Sequence, residues 1–248
     1  MHGQTIKAAW VDVDQTLLDF DACAKEAMEH AFHVFGYPWK DDYFQTFLVE
    51  NAKLWDRIEE GSMTREELGR IRFTVIFNAL GMQLHNTVEF EDTFISRLRT
   101  ADHPMPGALE ALQRLDALGI PIFIASNGSA AGQLGRLERA GMGPYFRDVF
   151  SSSRFGVPKP DLSFFTQSLD AMNELLETDW KAENVLMIGD SWKADIRGAL
   201  PFGANCIWFK ANRAHDPFER EDAPRVFEAD SWDEISAWIE AHTERTDI

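Results

Sequence analysis

The stretch VDVDQTLLDF, Val11 to Phe20, sets two carboxylates, Asp12 and Asp14, into otherwise apolar surroundings. The run from Ile6 to Val13 reads as a strand, and residues two apart on a strand share one face. Both acids therefore approach one place. A buried strand is a poor environment for charge, but the C-terminal end of a strand in an open α/β sheet lines the ligand crevice. Gln15 and Thr16 then turn the chain.

Further strands follow the same pattern: Ile120 to Ser126, Val149 to Ser152, Val185 to Ile188 and Cys206 to Phe209. They are almost continuously apolar, as parallel strands covered on both faces are. Helical patterns separate them: Gly107 to Leu118, Ser129 to Ala140 (with Leu134, Leu137 and Ala140 on the apolar face) and Leu162 to Leu176. Alternating strand and helix predicts an α/β fold built on a doubly wound parallel sheet.

Residues 19–103 break the alternation. Asp21 to Phe35 and Asp42 to Ile58 carry apolar residues at helical spacing. Thr64-Arg65-Glu66-Glu67 has capping-box form and opens a helix to about Leu80. Asn86 with Glu89 is a fourth N-terminal signal. The spacing predicts a helical insert at 19–103 within an α/β core formed by 1–18 and 104–248.

With 248 residues, 45% of them hydrophobic, the chain can build a substantial core. Its net charge of −17 disfavours polymeric nucleic acid and anionic membrane as partners. It leaves room for a small phosphorylated metabolite, since one cation or lysine reverses a local field. Apolar runs are too short to span a bilayer, there is no secretory-signal pattern, and Cys23 and Cys206 have no CxxC spacing. These features predict a reduced, cytoplasmic protein, with monomer and homodimer both open. His30 and His33, three apart, lack a third neighbouring ligand for zinc.

The other strand ends supply the rest of a site. Ser126-Asn127-Gly128 precedes a helix whose first N–H groups favour an anion. Lys159 sits between Pro158 and Pro160, and the second proline biases it toward an extended backbone. Gly189-Asp190 ends a strand, and Asp195 follows. Convergence of the strand ends would gather Asp12, Asp14, Asp190 and Asp195. Two like charges about 5 Å apart repel by roughly 3 kcal/mol at an effective dielectric near 20. A hard divalent cation held by oxygen ligands, together with Lys159, compensates; Mg2+ is expected beside a phosphate.

In this order, DVDQT (Asp12 to Thr16), Ser126-Asn127, Lys159 and Gly189-Asp190 with Asp195 resemble the motifs of the haloacid dehalogenase-like (HAD) hydrolase superfamily, across the whole α/β core. Gln15 stands where these enzymes often have Asp or Gly. The insert lies where one branch carries a helical cap domain. The resemblance implies a Rossmann-like core and an aspartyl-phosphate intermediate on Asp12. Asp14 would protonate the leaving group and deprotonate water. Mg2+ would be bound by Asp12, the Asp14 carbonyl and Asp190. Ser126, Gly128 and Lys159 would bind phosphate, with Asn127 around the nucleophile and Asp195 orienting metal-bound water or Lys159. Dehalogenating members lack the second acid, so Asp14 favours a phosphatase.

The insert also carries Asn51, Leu54, Trp55, Glu60, Gly61, Thr64, Leu68, Arg72 and Phe73. With CIWFKAN, Cys206 to Asn212, this pattern resembles noncanonical pyrimidine nucleotide 5′-nucleotidases. A nucleoside 5′-monophosphate is the substrate so implied, with Asn51, Trp55 and Arg72 as candidate specificity residues. Trp39, Tyr43, Phe44, Phe47 and Phe73 offer further aromatic surface. Acylneuraminate-9-phosphate and phosphoglycolate phosphatases share the architecture and supply the alternative of a sugar- or acid-phosphate phosphatase. A 2-haloacid dehalogenase and an inactive binding protein are the remaining readings.

Overall fold

In the computed structural model, which describes residues 6–211 and 225–243, the apolar run after Ile6 becomes strand β1 (Ala8–Val11), buried along its whole length. The other strands are β2 (Ile122–Ser126), β3 (Phe146–Ser151), β4 (Val185–Gly189), β5 (Asn205–Phe209) and β6 (Val226–Ala229). They form one parallel sheet in the order β3-β2-β1-β4-β5-β6. The chain winds outward from β1 through β2 to β3, then returns to β4 on the other side of β1. The reversal lies between β1 and β4, where such sheets open a crevice at their C-terminal ends.

The helices, in chain order, are α1 (Phe20–Val34), α2 (Asp42–Glu59), α3 (Arg65–Ala79), α4 (Thr87–Leu98), α5 (Ala108–Ala117), α6 (Ala130–Arg139), the short α7 (Ser152–Phe155), α8 (Leu162–Leu176), α9 (Arg197–Phe202) and α10 (Trp232–His242). The chain separates into two units, Met1–Asp19 with Pro104–Ile248, and Phe20–His103. No helix among the described residues is long and apolar enough to cross a membrane.

In the α/β unit the two-residue period of β1 feeds two cores. Ala9 and Val11 join Leu112 and Leu115 of α5 and Ile235 of α10 on one face. Ala8 and Trp10 join Phe164, Phe165 and Met172 of α8 and Ala199 of α9 on the other. Burying a Leu- or Phe-sized side chain contributes about 1.5–3 kcal/mol, so coverage on both faces is what fixes the central strand.

Two features depart from the sequence pattern. β6 extends the sheet beyond the five expected strands, with α10 following it: VFEA at β6 is a partly exposed edge strand with no strong apolar signal. α6 is rotated from its expected face: Leu134 is 36% exposed, whereas Gln133 and Arg136 are buried beside Leu137. The reason is electrostatic, and lies at Asp14.

The helical unit holds α1 to α4 around an aromatic core including Phe32, Phe77 and Phe90. Thr64 and Glu67 close the expected capping box at α3, and Asn86 accepts the Glu89 N–H at α4. Phe44, Phe47 and Phe73, which the sequence offers for stacking on a ligand, are instead core residues of this unit.

Candidate active site

Asp12 leaves β1 still within the sheet ladder, its N–H donating to Ile188 O at 2.9 Å. The turn after it is tight. Leu17 and Leu18 N–H both reach Val13 O at 2.9 Å, and Gln15 takes φ 61°. That left-handed conformation costs a residue with a Cβ roughly 1–2 kcal/mol. The turn is pinned from α10, where Trp232 Nε1 donates to Thr16 O at 2.8 Å.

Lys159 lies on the loop after α7, 2% exposed, with a cis peptide to Pro160. Its Nζ donates to Asp12 Oδ1 at 2.7 Å, Asp195 Oδ1 at 2.5 Å and Ala125 O at 2.5 Å. The three donors of the ammonium thus have three acceptors. The loop is held by Asn127, whose Nδ2 donates to Lys159 O at 2.9 Å and whose Oδ1 accepts from Lys159 N at 2.8 Å. Asn127, expected around the nucleophile, has its amide engaged by the main chain of the lysine.

Asp190 follows β4, and Trp208 Nε1 fixes its carbonyl at 2.9 Å. The chain then makes a π-helical turn, Trp192–Ile196, with Ser191 as N-cap. This turn swings Asp195 inward, where its Oδ2 accepts the Ser191 N–H at 3.0 Å. One carboxylate oxygen from each of Asp12, Asp190 and Asp195 lies within 4.8 Å of the others, and all three residues are buried. Three carboxylates against one ammonium leave a formal excess of two negative charges. Burial, opposed by Lys159 and reinforced by Asp195 and Asp190, holds the Asp12 carboxyl well above the usual carboxylate range. Burial disfavours charge on Lys159 too, but Asp12 and Asp195 outweigh it and raise its affinity for a proton. An all-oxygen cluster with this excess suits a hard divalent cation such as Mg2+. Each of the three acids offers such an ion an oxygen, and Asp12 and Asp195 also accept from Lys159.

Asp14 belongs to a different contact set. Its carboxylate receives Arg136 Nη1 at Oδ1, 2.6 Å, and Gln133 Nε2 at Oδ2, 2.7 Å. Sequence reasoning missed both donors. The available signal was Gln133 and Arg136 at i, i+3 on the helix opened by Ser126-Asn127-Gly128. Gln133 also donates to Ser126 Oγ at 3.2 Å, and Gly128 N–H donates to the same oxygen at 2.9 Å. The Gly128 N–H, expected to face an anion, therefore serves Ser126.

In the helical unit Arg72 is buried and pairs with Glu91 at 2.9 Å, over the Phe94 ring. Asn51 is buried as well, while Trp55 is partly exposed with the Arg65 guanidinium 6.0 Å from its ring centre. His30 and His33 line an open depression of about 550 Å³ within this unit. Cys23 and Cys206 are buried and form no disulfide, and burial pushes the Cys206 thiol up to about 12, which disfavours the reactive thiolate. Asn212 lies outside the described residues.

HAD-hydrolase YfnB of Bacillus subtilis is 30% identical over 79% of this chain and 81% of its own. Its crystal structure, bound to magnesium, superposes with a TM-score of 0.84 at 26% identity, covering 95% of this chain and 99% of that one. Pyrimidine 5′-nucleotidase PynA of Streptococcus pneumoniae is 28% identical over 87% of this chain and 89% of its own. Glyceraldehyde 3-phosphate phosphatase of Methanothermobacter thermautotrophicus is 28% identical over 82% and 84%. A family model described as haloacid dehalogenase-like hydrolase matches residues 6–203, a span that takes in Asp12, Asp14, Ser126, Lys159, Asp190 and Asp195. The chain belongs to the haloacid dehalogenase-like hydrolase family.

Proposed function

We propose that the protein is a Mg2+-dependent phosphomonoesterase acting through an aspartyl-phosphate on Asp12, and that its substrate is a nucleoside 5′-monophosphate. The observation that carries this reading is the separation of two acids two residues apart. Asp12 is buried with Lys159 inside the acidic cluster, and Asp14 is held apart by Gln133 and Arg136. A halide needs no proton to leave, whereas an alkoxide does. A second, independently oriented carboxylate therefore supports ester hydrolysis over dehalogenation.

In this mechanism an Asp12 oxygen attacks phosphorus, the P–O bond to the alcohol breaks, and the departing oxygen takes a proton from Asp14. Water then loses a proton to Asp14 and attacks the same phosphorus, releasing inorganic phosphate and Asp12. The Ser126 hydroxyl donates to the phosphoryl oxygens as charge develops, and Lys159, its three N–H groups held by Asp12, Asp195 and Ala125 O, stabilises them by its positive charge. Mg2+, held by Asp12, Asp190 and the Asp14 carbonyl, would shield the repulsion between nucleophile and phosphate. YfnB's bound magnesium supports that choice of ion.

The relative named as a pyrimidine nucleotidase and the pattern Asn51 to Phe73 support the nucleotide. Asn51 and Arg72 are buried within the helical unit, so we assign direct substrate contact to Trp55 and a supporting role to the other two. A sugar phosphate is the second reading, favoured by the relative named as a glyceraldehyde 3-phosphate phosphatase. A panel of nucleoside monophosphates and sugar phosphates, each with and without Mg2+, is the deciding experiment. The expected result is Mg2+-dependent release of phosphate with pyrimidine nucleotides preferred. Activity confined to sugar phosphates would replace the first reading by the second.

A further inference from the structure

We propose that Gln133 and Arg136 are positioning residues for the reaction: together they fix the plane of the Asp14 carboxylate, and Gln133 also sets the direction in which Ser126 donates its proton. This rests on the reading of Asp14 as the group that protonates the leaving oxygen.

Both residues are only 4% exposed, on a helix whose leucine at position 134 is left partly in solvent. A buried guanidinium costs several kcal/mol unless paired, so turning Arg136 inward requires a partner such as Asp14. The two donors address different oxygens, Arg136 at Oδ1 and Gln133 at Oδ2. Two bonds from two residues stop rotation about the terminal carboxylate torsion, which a single ion pair would leave free. The Asp14 side chain remains one-third exposed, at 33%, so it is held from one side and open on the other. That is the condition for handing a proton to a bound ester.

The amide of Gln133 has its orientation fixed by chemistry. Ionised Asp14 only accepts, so nitrogen faces it, and the proton it gives the leaving oxygen must sit on the side away from these two donors. Its two N–H groups go to Asp14 Oδ2 and Ser126 Oγ, and its Oε1 accepts from Arg136 Nη1 at 3.3 Å. Ser126 Oγ thereby receives two hydrogen bonds, from Gln133 and from Gly128 N–H. Both its lone pairs are engaged, and its own proton is left to donate. One glutamine thus couples the proton donor for the leaving group to a donor for the phosphoryl oxygens. Space for it comes from Gly128: a β-carbon there would lie 2.2 Å from Gln133 Nε2.

The test compares kcat/KM on phenyl phosphate and p-nitrophenyl phosphate, two esters of similar shape. Phenoxide needs the proton more than p-nitrophenoxide does. The ratio of the two rates is independent of the fraction of enzyme that is folded. Gln133→Met and Arg136→Met should each raise the preference for the nitrophenyl ester about tenfold, a part of the 10²–10⁴ expected of general acid catalysis. Asp14→Asn should raise it further, and Arg136→Lys should restore part of the loss. If Asp14→Asn raises the preference while neither Met variant does, the positioning role is overturned and the reading of Asp14 stands. If Asp14→Asn itself leaves the preference unchanged, that reading fails and this proposal falls with it.

Discussion

A β-carbon added to Gly189 would lie 2.2 Å from Asp195 Oδ2. The last residue of β4 must therefore be glycine for the π-helical turn to bring Asp195 against Lys159. Gly189→Ala should push Asp195 aside and loosen Lys159, whose Nζ has Asp195 and Asp12 as carboxylate partners. Misplacement on the scale of an ångström costs up to about a hundredfold in rate. The expected outcome is a fall in kcat of about ten- to a hundredfold with KM little changed, read on p-nitrophenyl phosphate. An unchanged kcat would show that Asp195 does not aim the lysine.

Metal binding should appear as stability. The acidic cluster of Asp12, Asp190 and Asp195 has an excess negative charge that the fold must bear. A cation that binds only the folded state adds about 3 kcal/mol at a hundredfold excess over its Kd. For a chain of this size that is a rise in Tm of roughly 6–10 °C. Thermal melts with Mg2+ against melts with chelator should show the shift in wild type and lose it in Asp190→Asn. A shift that survives in Asp190→Asn would move the ion elsewhere.

Most of the residues gathered at the candidate site were legible because they lie at strand ends. Asp12, Ser126 and Asp190 lie at or just beyond apolar runs that could only be buried strands. Lys159 stood out between two prolines. What was not legible depends on packing between distant segments. Gln133 lies 119 residues from Asp14, and on helical periodicity alone Leu134 was the better candidate for the inner face. Arg72 reads as a candidate substrate contact, yet it is buried in the helical unit and paired with Glu91, nineteen positions on. The sixth strand is an edge strand with a glutamate in it; no period distinguishes it from a loop.

The buried pair Arg72–Glu91 predicts a pH dependence. Burial, opposed by Arg72 and aided by Asp92, raises the Glu91 carboxyl from 4.5 to about 7. Between those values the folded chain keeps a proton that the unfolded chain has released. Stability from this group is therefore fully present below 4.5 and declines as pH rises toward 7. Urea titrations of wild type and Glu91→Gln from pH 4 to 8 should show wild type losing stability relative to the variant across that window, by on the order of 3 kcal/mol at most. Parallel curves would mean that Glu91 ionises as readily in the fold as in water.

The two-way bond between Asn127 and the Lys159 main chain separates loop geometry from charge. Asn127→Asp keeps an acceptor for Lys159 N–H but sets a second carboxylate oxygen against Lys159 O, where Nδ2 now donates at 2.9 Å. Losing a donor to a buried carbonyl costs about 1–3 kcal/mol, and the loop that carries Lys159 should shift away from Ala125. Ser152 Oγ, which donates to Asn127 O at 2.9 Å, ties the same segment to α7 and limits the movement. The expected variant is folded, less stable by about 1–3 kcal/mol, and reduced about tenfold or more in kcat. Asn127→Ser, which introduces no charge but cannot span the same two groups, should lose a similar amount. If Asn127→Ser is as active as wild type and only Asn127→Asp is impaired, added charge rather than loop position is the cause, and Lys159 is aimed by Asp12, Asp195 and Ala125 O without Asn127.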